Sequence, residues 1–281
     1  MTLQKLIKEI NLNPQASKLA LDLITRANLD GLTDKLYEQI RHSERDFFGS
    51  VRRESARAGV DERLMYLCVY LLLAVKAHEK YADSDICDRV YFDTMSDIAV
   101  WAENCRQWDG VWGISESGWL TRHVRLGIFK LGRLQFEPVV FEDNDVSFDG
   151  RAIKKGDPVI NVHIQQNTPL DHDGCRASYK AAREFFGEGS VFICESWLLE
   201  PELKTLLPET SNIIRFQNDF YVHKINKKSK QFIERVFGFN PGSFDEYPQQ
   251  SSLQKKALIL LKSGKKLGEG HGVLRDSKTQ Q

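Results

Sequence analysis

The side chains in this sequence most suited to proton chemistry lie in two short alternating runs. From Val159 to Gln165, Ile160, Val162 and Ile164 alternate with Asn161, His163 and Gln165, the period-two pattern of a strand with one apolar and one polar face. Histidine is the side-chain type that exchanges protons near neutral pH, so His163 on the polar face is a candidate base or substrate ligand. A histidine satisfied by a neighbouring strand is the competing account. In the run Arg133 to Val140, Leu134 and Phe136 alternate with Gln135 and Glu137, and Glu137 can accept a proton if this strand lies beside the first. A solvated strand glutamate is the plain alternative. Cys175 opens a helical segment, where unpaired backbone donors lower a thiol pKa, although a small packing residue explains it as well. Glu195 and Ser196 with His163 do not make a serine hydrolase, because no G-x-S-x-G elbow surrounds Ser196. Trp101, Trp108, Trp112 and Trp119 cluster in sequence, either as an aromatic wall for a ligand or as packing between domains.

The five cysteines, at 68, 87, 105, 175 and 194, form no C-x-x-C pair and no ligand-like spacing with histidine. Neither a disulfide framework nor a metal site is expected, and a reduced cytoplasmic location fits. The first ten residues carry Lys5, Lys8 and Glu9 at helical spacing and lack the apolar stretch of a signal peptide.

Two kinds of element must position these residues. Up to about residue 125 the pattern is helical: Leu3, Leu6, Ile7 and Ile10 begin it, Asn13 with Pro14 caps a second helix, Leu32, Leu36 and Ile40 mark one face of a third segment, and Asp61 then caps a long apolar helix. The apolar run Leu64 to Val75 is well short of the roughly 20 residues that span a bilayer and reads as the buried centre of a helical bundle. Gly110, Gly113 and Gly118 end this half. Strands follow over 133–140, around 146–148 and over 159–165; then a helix from Cys175 to Phe186 and a strand from Val191 to Leu199 make a β-α-β crossover. A strand or hairpin is expected over 212–225, helices near 231–237 and 253–262, and a last strand around Val273. The fold class is α+β, with a helical N-terminal domain over 1–128 and a mixed-sheet domain with flanking helices over 129–281.

At 281 residues, two modest cores are more natural than one. Lysine plus arginine and aspartate plus glutamate balance at 39 each, so no global field attracts nucleic acid or an anionic membrane, and neither is an expected partner. Oligomeric state is not legible.

Three segments carry a resemblance: Gly132-Arg133-Leu134-Gln135-Phe136-Glu137; Val162-His163-Ile164; and Ser196-Trp197-Leu198-Leu199 with Leu206-Leu207-Pro208 and Ser211-Asn212-Ile213. They resemble the GNAT-like C-terminal domain of bacterial acyltransferase-domain proteins, in which a helical N-terminal domain comes first, and the similarity spans nearly the whole chain. The resemblance implies an N-acyltransferase that moves an acyl group from acyl-CoA, acetyl-CoA being the expected donor, to an unidentified amine by direct attack on the thioester, with no tightly bound cofactor. The strand from Val159 corresponds to the superfamily's central strand, the helix from Cys175 to its pyrophosphate-binding helix, and the strand from Val191 to its splayed neighbour. Coenzyme A would then meet Ile164, Gln165, Gln166, Asn167, Gly174, Cys175 and Ser196, with Glu137 or His163 as base. The superfamily's tyrosine acid is missing from the helix over 201–207, which leaves Tyr221 or Ser196 to protonate the thiolate. The Gln/Arg-x-x-Gly-x-Gly/Ala loop is replaced by 165–174, which contains Asp171 and Asp173. A GNAT-like module that has lost coenzyme A and serves binding or protein interaction is the alternative.

Overall fold

The computed structural model describes residues 1–148, 150–166, 168–238 and 242–275, so the expectation for Asn167 lies outside the described residues. Two compact units result, Met1–Leu131 with Gln165–Thr168, and Gly132–Ile164 with Pro169–Gln281.

In the first unit the helices are α1 (Leu3–Glu9), α2 (Pro14–Arg26), α3 (Thr33–His42), α4 (Glu44–Ala58), α5 (Glu62–Asp83), α6 (Asp88–Met95), α7 (Asp97–Asp109) and α8 (Ser117–Val124), before a short strand β1 (Phe129–Leu131). Their starts are written locally. Asn13 accepts from the Gln15 N–H at 2.9 Å with Pro14 at the first helical position, and Asp61 accepts from the Arg63 N–H at 2.8 Å. The middle of α5, Met65 through Ala74, is buried all round, and every other helix of the unit packs against α5. A helix without a polar stripe is stable only under such complete cover. Among the described residues no helix is long and apolar enough to cross a membrane.

The second unit holds β2 (Leu134–Val140), β3 (Val146–Phe148), β4 (Arg151–Ile153), β5 (Pro158–Ile164), α9 (His172–Phe186), β6 (Phe192–Ser196), α10 (Leu203–Leu206), α11 (Asn212–Asn218), β7 (Phe220–Asn226), α12 (Gln231–Phe237), α13 (Ser252–Lys262) and β8 (Glu269–Leu274). Its main sheet runs β2-β5-β6-β8-β7, antiparallel except for the parallel pair β5 and β6, while β3 and β4 form a separate hairpin. The architecture is α+β, as the alternation of periods predicts.

Register assigns the two sheet faces. Phe136 lies opposite Val162, and Ile160 opposite Phe192, so these share one face, where Phe136 meets Phe192 and the α9 residue Phe186 at ring separations of 5.8 and 6.5 Å. On the other face Val159, Ile193 and Val273 pack with Phe141, Val146, Phe148 and Ile153 in one core cluster, which the β3–β4 hairpin caps. Gln135, Glu137, Asn161, His163 and Glu195 also belong to this second face, toward its open end.

Two expectations change. The strand or hairpin over 212–225 is α11 followed by β7, because the Ser211 hydroxyl accepts from the Ile213 N–H and starts a helix whose Ile214, Phe216 and Gln217 are buried. The strand from Val191 ends at Ser196 instead of Leu199, where a 3-10 turn over Trp197–Leu199 packs against β8. Gly270 and Gly272 permit that approach, since a Cβ at Gly270 would lie 2.4 Å from the Leu199 carbonyl oxygen.

Candidate functional site

The parallel pair β5 and β6 is in register only at Ile160 with Phe192 and Asn161 with Ile193. Beyond these the strands fork: β5 continues beside β2 to Ile164, while β6 continues beside β8 to Ser196. The Ile160 N–H donates to the Val191 carbonyl at 2.8 Å, so by strand periodicity the Ile164 N–H and C=O also point toward the β6 side, where no β6 residue is in register. His163 and Glu195, each two residues past the last paired position, stand on the same face at the two edges of the fork.

Two of the sequence candidates come together here. Glu137 faces Asn161 across the strand pair, and its carboxylate reaches diagonally to His163, Oε2 to Nε2 at 2.8 Å. Side-chain exposures of 22% for His163 and 16% for Glu137 leave both within reach of a ligand. A carboxylate on one ring nitrogen fixes the imidazole's orientation, which a general base needs.

The other candidates do different work. Tyr221 lies on β7, two strands beyond β6, stacked on Phe148 at 5.4 Å; it does not join the pair, because the order β5-β6-β8-β7 separates them. The Ser196 hydroxyl is buried and accepts from the Leu198 N–H at 3.2 Å, capping the 3-10 turn. Gly174 and Cys175 sit inside the first turn of α9, which starts at His172. Their N–H groups donate to the Asp171 Oδ2 at 2.7 Å and the Asp171 carbonyl at 3.0 Å, so the helix is capped by its own chain. Cys175 is fully buried, and burial pushes its thiol up to about 12, the reverse of the activated thiol expected at a helix start.

In the first unit, Gln165 is buried in a polar network. Its Nε2 donates to Asp97 Oδ1 at 2.8 Å, and its Oε1 accepts from the Lys130 Nζ at 2.7 Å. Asp97 Oδ2 accepts from the indoles of Trp119 and Trp101 at 2.7 and 3.3 Å and pairs with His123 Nε2 at 2.9 Å. Burial opposes the Asp97 charge, but these donors outweigh it and hold the carboxyl well below the usual carboxylate range. The Gln166 Oε1 accepts from Asn104 at 2.9 Å. Both glutamine side chains therefore anchor the segment after β5. Of the tryptophans, Trp101 and Trp119 serve Asp97, Trp101 also meets the half-exposed Trp108 edge-on at a ring separation of 6.2 Å, and Trp112 donates to Gln15 at 3.3 Å.

The sequence reading missed a second cluster on the same sheet face. Asp143, from the loop after β2, meets His223, Lys224 and His271, and His271 also meets Glu195. The Glu195 hydrogen bond, against the opposing effect of burial, raises the His271 pKa; the same contact lowers that of Glu195. Burial lowers that of His223 despite its Asp143 partner. The one sequence signal is Gly268-Glu269-Gly270-His271-Gly272, a histidine set among glycines on a strand.

Residues 1–126 match the family model of the N-acyltransferase N-terminal domain, and residues 128–274 match that of the GNAT-like C-terminal domain. Among solved structures, an acyltransferase in complex with decanoyl-CoA and teicoplanin is similar at a TM-score of 0.77 and 23% identity, over 96% of this chain and 86% of that one. An acyltransferase in complex with decanoyl-CoA gives a TM-score of 0.69 at 22% identity, over 98% of this chain and 99% of that one. No curated protein matches the chain.

Proposed function

The chain belongs to the GNAT-like C-terminal domain family, with an N-acyltransferase N-terminal domain before it, and on that premise we propose that it is an acyl-CoA-dependent N-acyltransferase. The observation that carries the reading is the fork between β5 and β6 with the Glu137–His163 pair at its edge. The pantetheine arm lies in the fork, where the Ile164 backbone supplies hydrogen bonds. The acceptor nitrogen attacks the thioester carbonyl; the N–C bond forms, the C–S bond breaks, and coenzyme A leaves as the thiolate, which takes up the proton that His163 removes from the amine. His163 takes the proton from the attacking amine, and the Glu137 carboxylate stabilises the imidazolium. The donor is an acyl-CoA whose chain length is open: the similar solved structures hold decanoyl-CoA, which puts medium chains beside acetyl as candidates. Their teicoplanin complex supports an amine acceptor of some size, without naming the acceptor of this chain.

A second reading has a specific observation behind it. The Asp171 carboxylate takes the Gly174 N–H in the first turn of α9, and the Gln165 and Gln166 side chains are engaged by Asp97, Lys130 and Asn104, so these groups of the segment that would meet a pyrophosphate are already paired with protein. A binding module without coenzyme A would look like this. Calorimetric titration with coenzyme A, acetyl-CoA and decanoyl-CoA separates the two: saturable binding favours the enzyme and justifies an amine screen, whereas no binding by any of them at millimolar concentration sinks it.

A further inference from the structure

Four side chains from four pieces of chain converge beside the fork: Asp143 after β2, Glu195 on β6, His223 on β7 and His271 on β8. Glu195 and His271 are direct cross-strand partners, and the register shift between Val222 and Lys224 turns both His223 and Lys224 onto Asp143. Asp143 Oδ2 lies 2.8 Å from His271 Nδ1 and 3.2 Å from His223 Nε2, and His271 Nδ1 lies 3.4 Å from Glu195 Oε1. One ligand atom each from Asp143, Glu195 and His271 fall within 4.8 Å of one another.

These separations have a second meaning. A tetrahedral zinc ion with bonds of about 2.0–2.1 Å sets its ligand atoms about 3.3 Å apart. The Asp143–His271 and His271–Glu195 distances bracket that edge, and the second exceeds the roughly 2.7–2.9 Å of charge-assisted hydrogen bonds. Both imidazoles are more than nine-tenths buried, with side-chain exposures of 9%, and both are aimed at the same carboxylate oxygen. Each ring keeps its other nitrogen, His223 Nδ1 and His271 Nε2, buried without a hydrogen-bond partner, so hydrogen bonding to Asp143 satisfies only half of either ring. Glu269 Oε1 stands 3.8 Å behind His271 Nε2, where an outer carboxylate orients a metal-bound imidazole. Lys224 holds the other Asp143 oxygen, leaving Oδ2 to the cluster. A cavity of about 500 Å³ lined by Asp143, Tyr221, His223 and Lys224 provides the entry path.

We propose that Asp143, Glu195 and His271 bind one divalent transition-metal ion, zinc foremost, through one imidazole and two carboxylates, with His223 beside Asp143 outside the ligand set. Three protein ligands leave a fourth position open to water, and the ion ties the loop after β2 to β6 and β8. The inference does not depend on acyl transfer.

The test uses the full chain after chelator treatment and dialysis, titrated with zinc chloride by calorimetry and with cobalt(II) by visible absorption. One ion per chain, four-coordinate cobalt bands and a melting temperature that rises with zinc are the expected results. Glu195→Gln and His271→Asn should each weaken binding at least tenfold, while His42→Gln, at an exposed histidine away from the cluster, changes nothing. Glu195 is the most exposed of the three ligands, at 45%, and its variant keeps the test open should His271→Asn fail to fold. No uptake by the native chain, or uptake unchanged in Glu195→Gln, overturns the proposal.

Discussion

Replacing Asp97 by asparagine keeps the shape of the side chain and removes its charge, and the surrounding contacts show where the cost falls. Asp97 is 1% exposed; one oxygen receives Gln165, and the other receives Trp119, Trp101 and His123. An asparagine has one acceptor oxygen for two acceptor positions. If that oxygen faces the indoles and the imidazole, its amide N–H groups meet the Gln165 N–H groups. Turning the Gln165 amide to relieve this presents N–H groups to the Lys130 ammonium, which then loses its 2.7 Å bond to Gln165. If the oxygen faces Gln165 instead, the Trp119 and His123 donors are stranded. Either way the buried Asp97–His123 pair loses its carboxylate, a cost of about 3–5 kcal/mol, or, at about 2–4 °C per kcal/mol, a fall in Tm of roughly 6–20 °C. The assay is urea unfolding followed by tryptophan fluorescence, to which Trp101 and Trp119 report directly. The pH dependence has a definite sign. The folded-state pKa of Asp97 is depressed, so its stabilisation is complete above the unfolded carboxylate value of about 3.9 and is lost as pH falls toward the folded-state value. The difference between wild type and Asp97→Asn should be flat from pH 7 to about 4 and close below that. A variant within about 1 kcal/mol of wild type at pH 7 would refute the network's role, as would a gap that widens on acidification.

His163→Ala should lower turnover by about 10²–10⁴-fold, as expected for removal of a general base, and Glu137→Gln should lower it less; both should leave acyl-CoA affinity unchanged in calorimetry, and unaltered turnover in either would remove that residue from the mechanism. Iodoacetamide at pH 8 should label the exposed Cys87 well before Cys175 and Cys68, whose thiols burial pushes up to about 12, and mass spectrometry showing Cys175 labelled as fast as Cys87 would contradict its burial. Gly270→Ala should cost about 1–3 kcal/mol by overpacking against the Leu199 carbonyl, whereas Gly118→Ala, which meets nothing within 4 Å in α8, should be neutral or stabilising by up to about 1 kcal/mol; equal Tm shifts in the two would show that the close approach is not the cause.

What the sequence determined by itself was local. The caps at Asn13 and Asp61, the buried centre of α5 and the alternation that puts Glu137 and His163 on polar faces depend on neighbours a few residues away, and they read directly from spacing. The same local reading failed over 212–218, where apolar residues suit a helix or a strand equally and the Ser211 cap settles the matter. Only the tertiary structure decided the rest. The β2–β5 register brings Glu137 to His163, the loss of register after Asn161 and Ile193 opens the fork, and the strand order carries Tyr221 away from both. Asp143, His223 and His271 meet only because three distant segments share one sheet face, with a bulge turning both His223 and Lys224 toward Asp143. The physical reason is that side-chain direction along a strand is fixed by period two, whereas the choice of neighbouring strand and its register is fixed by packing between segments far apart in the chain.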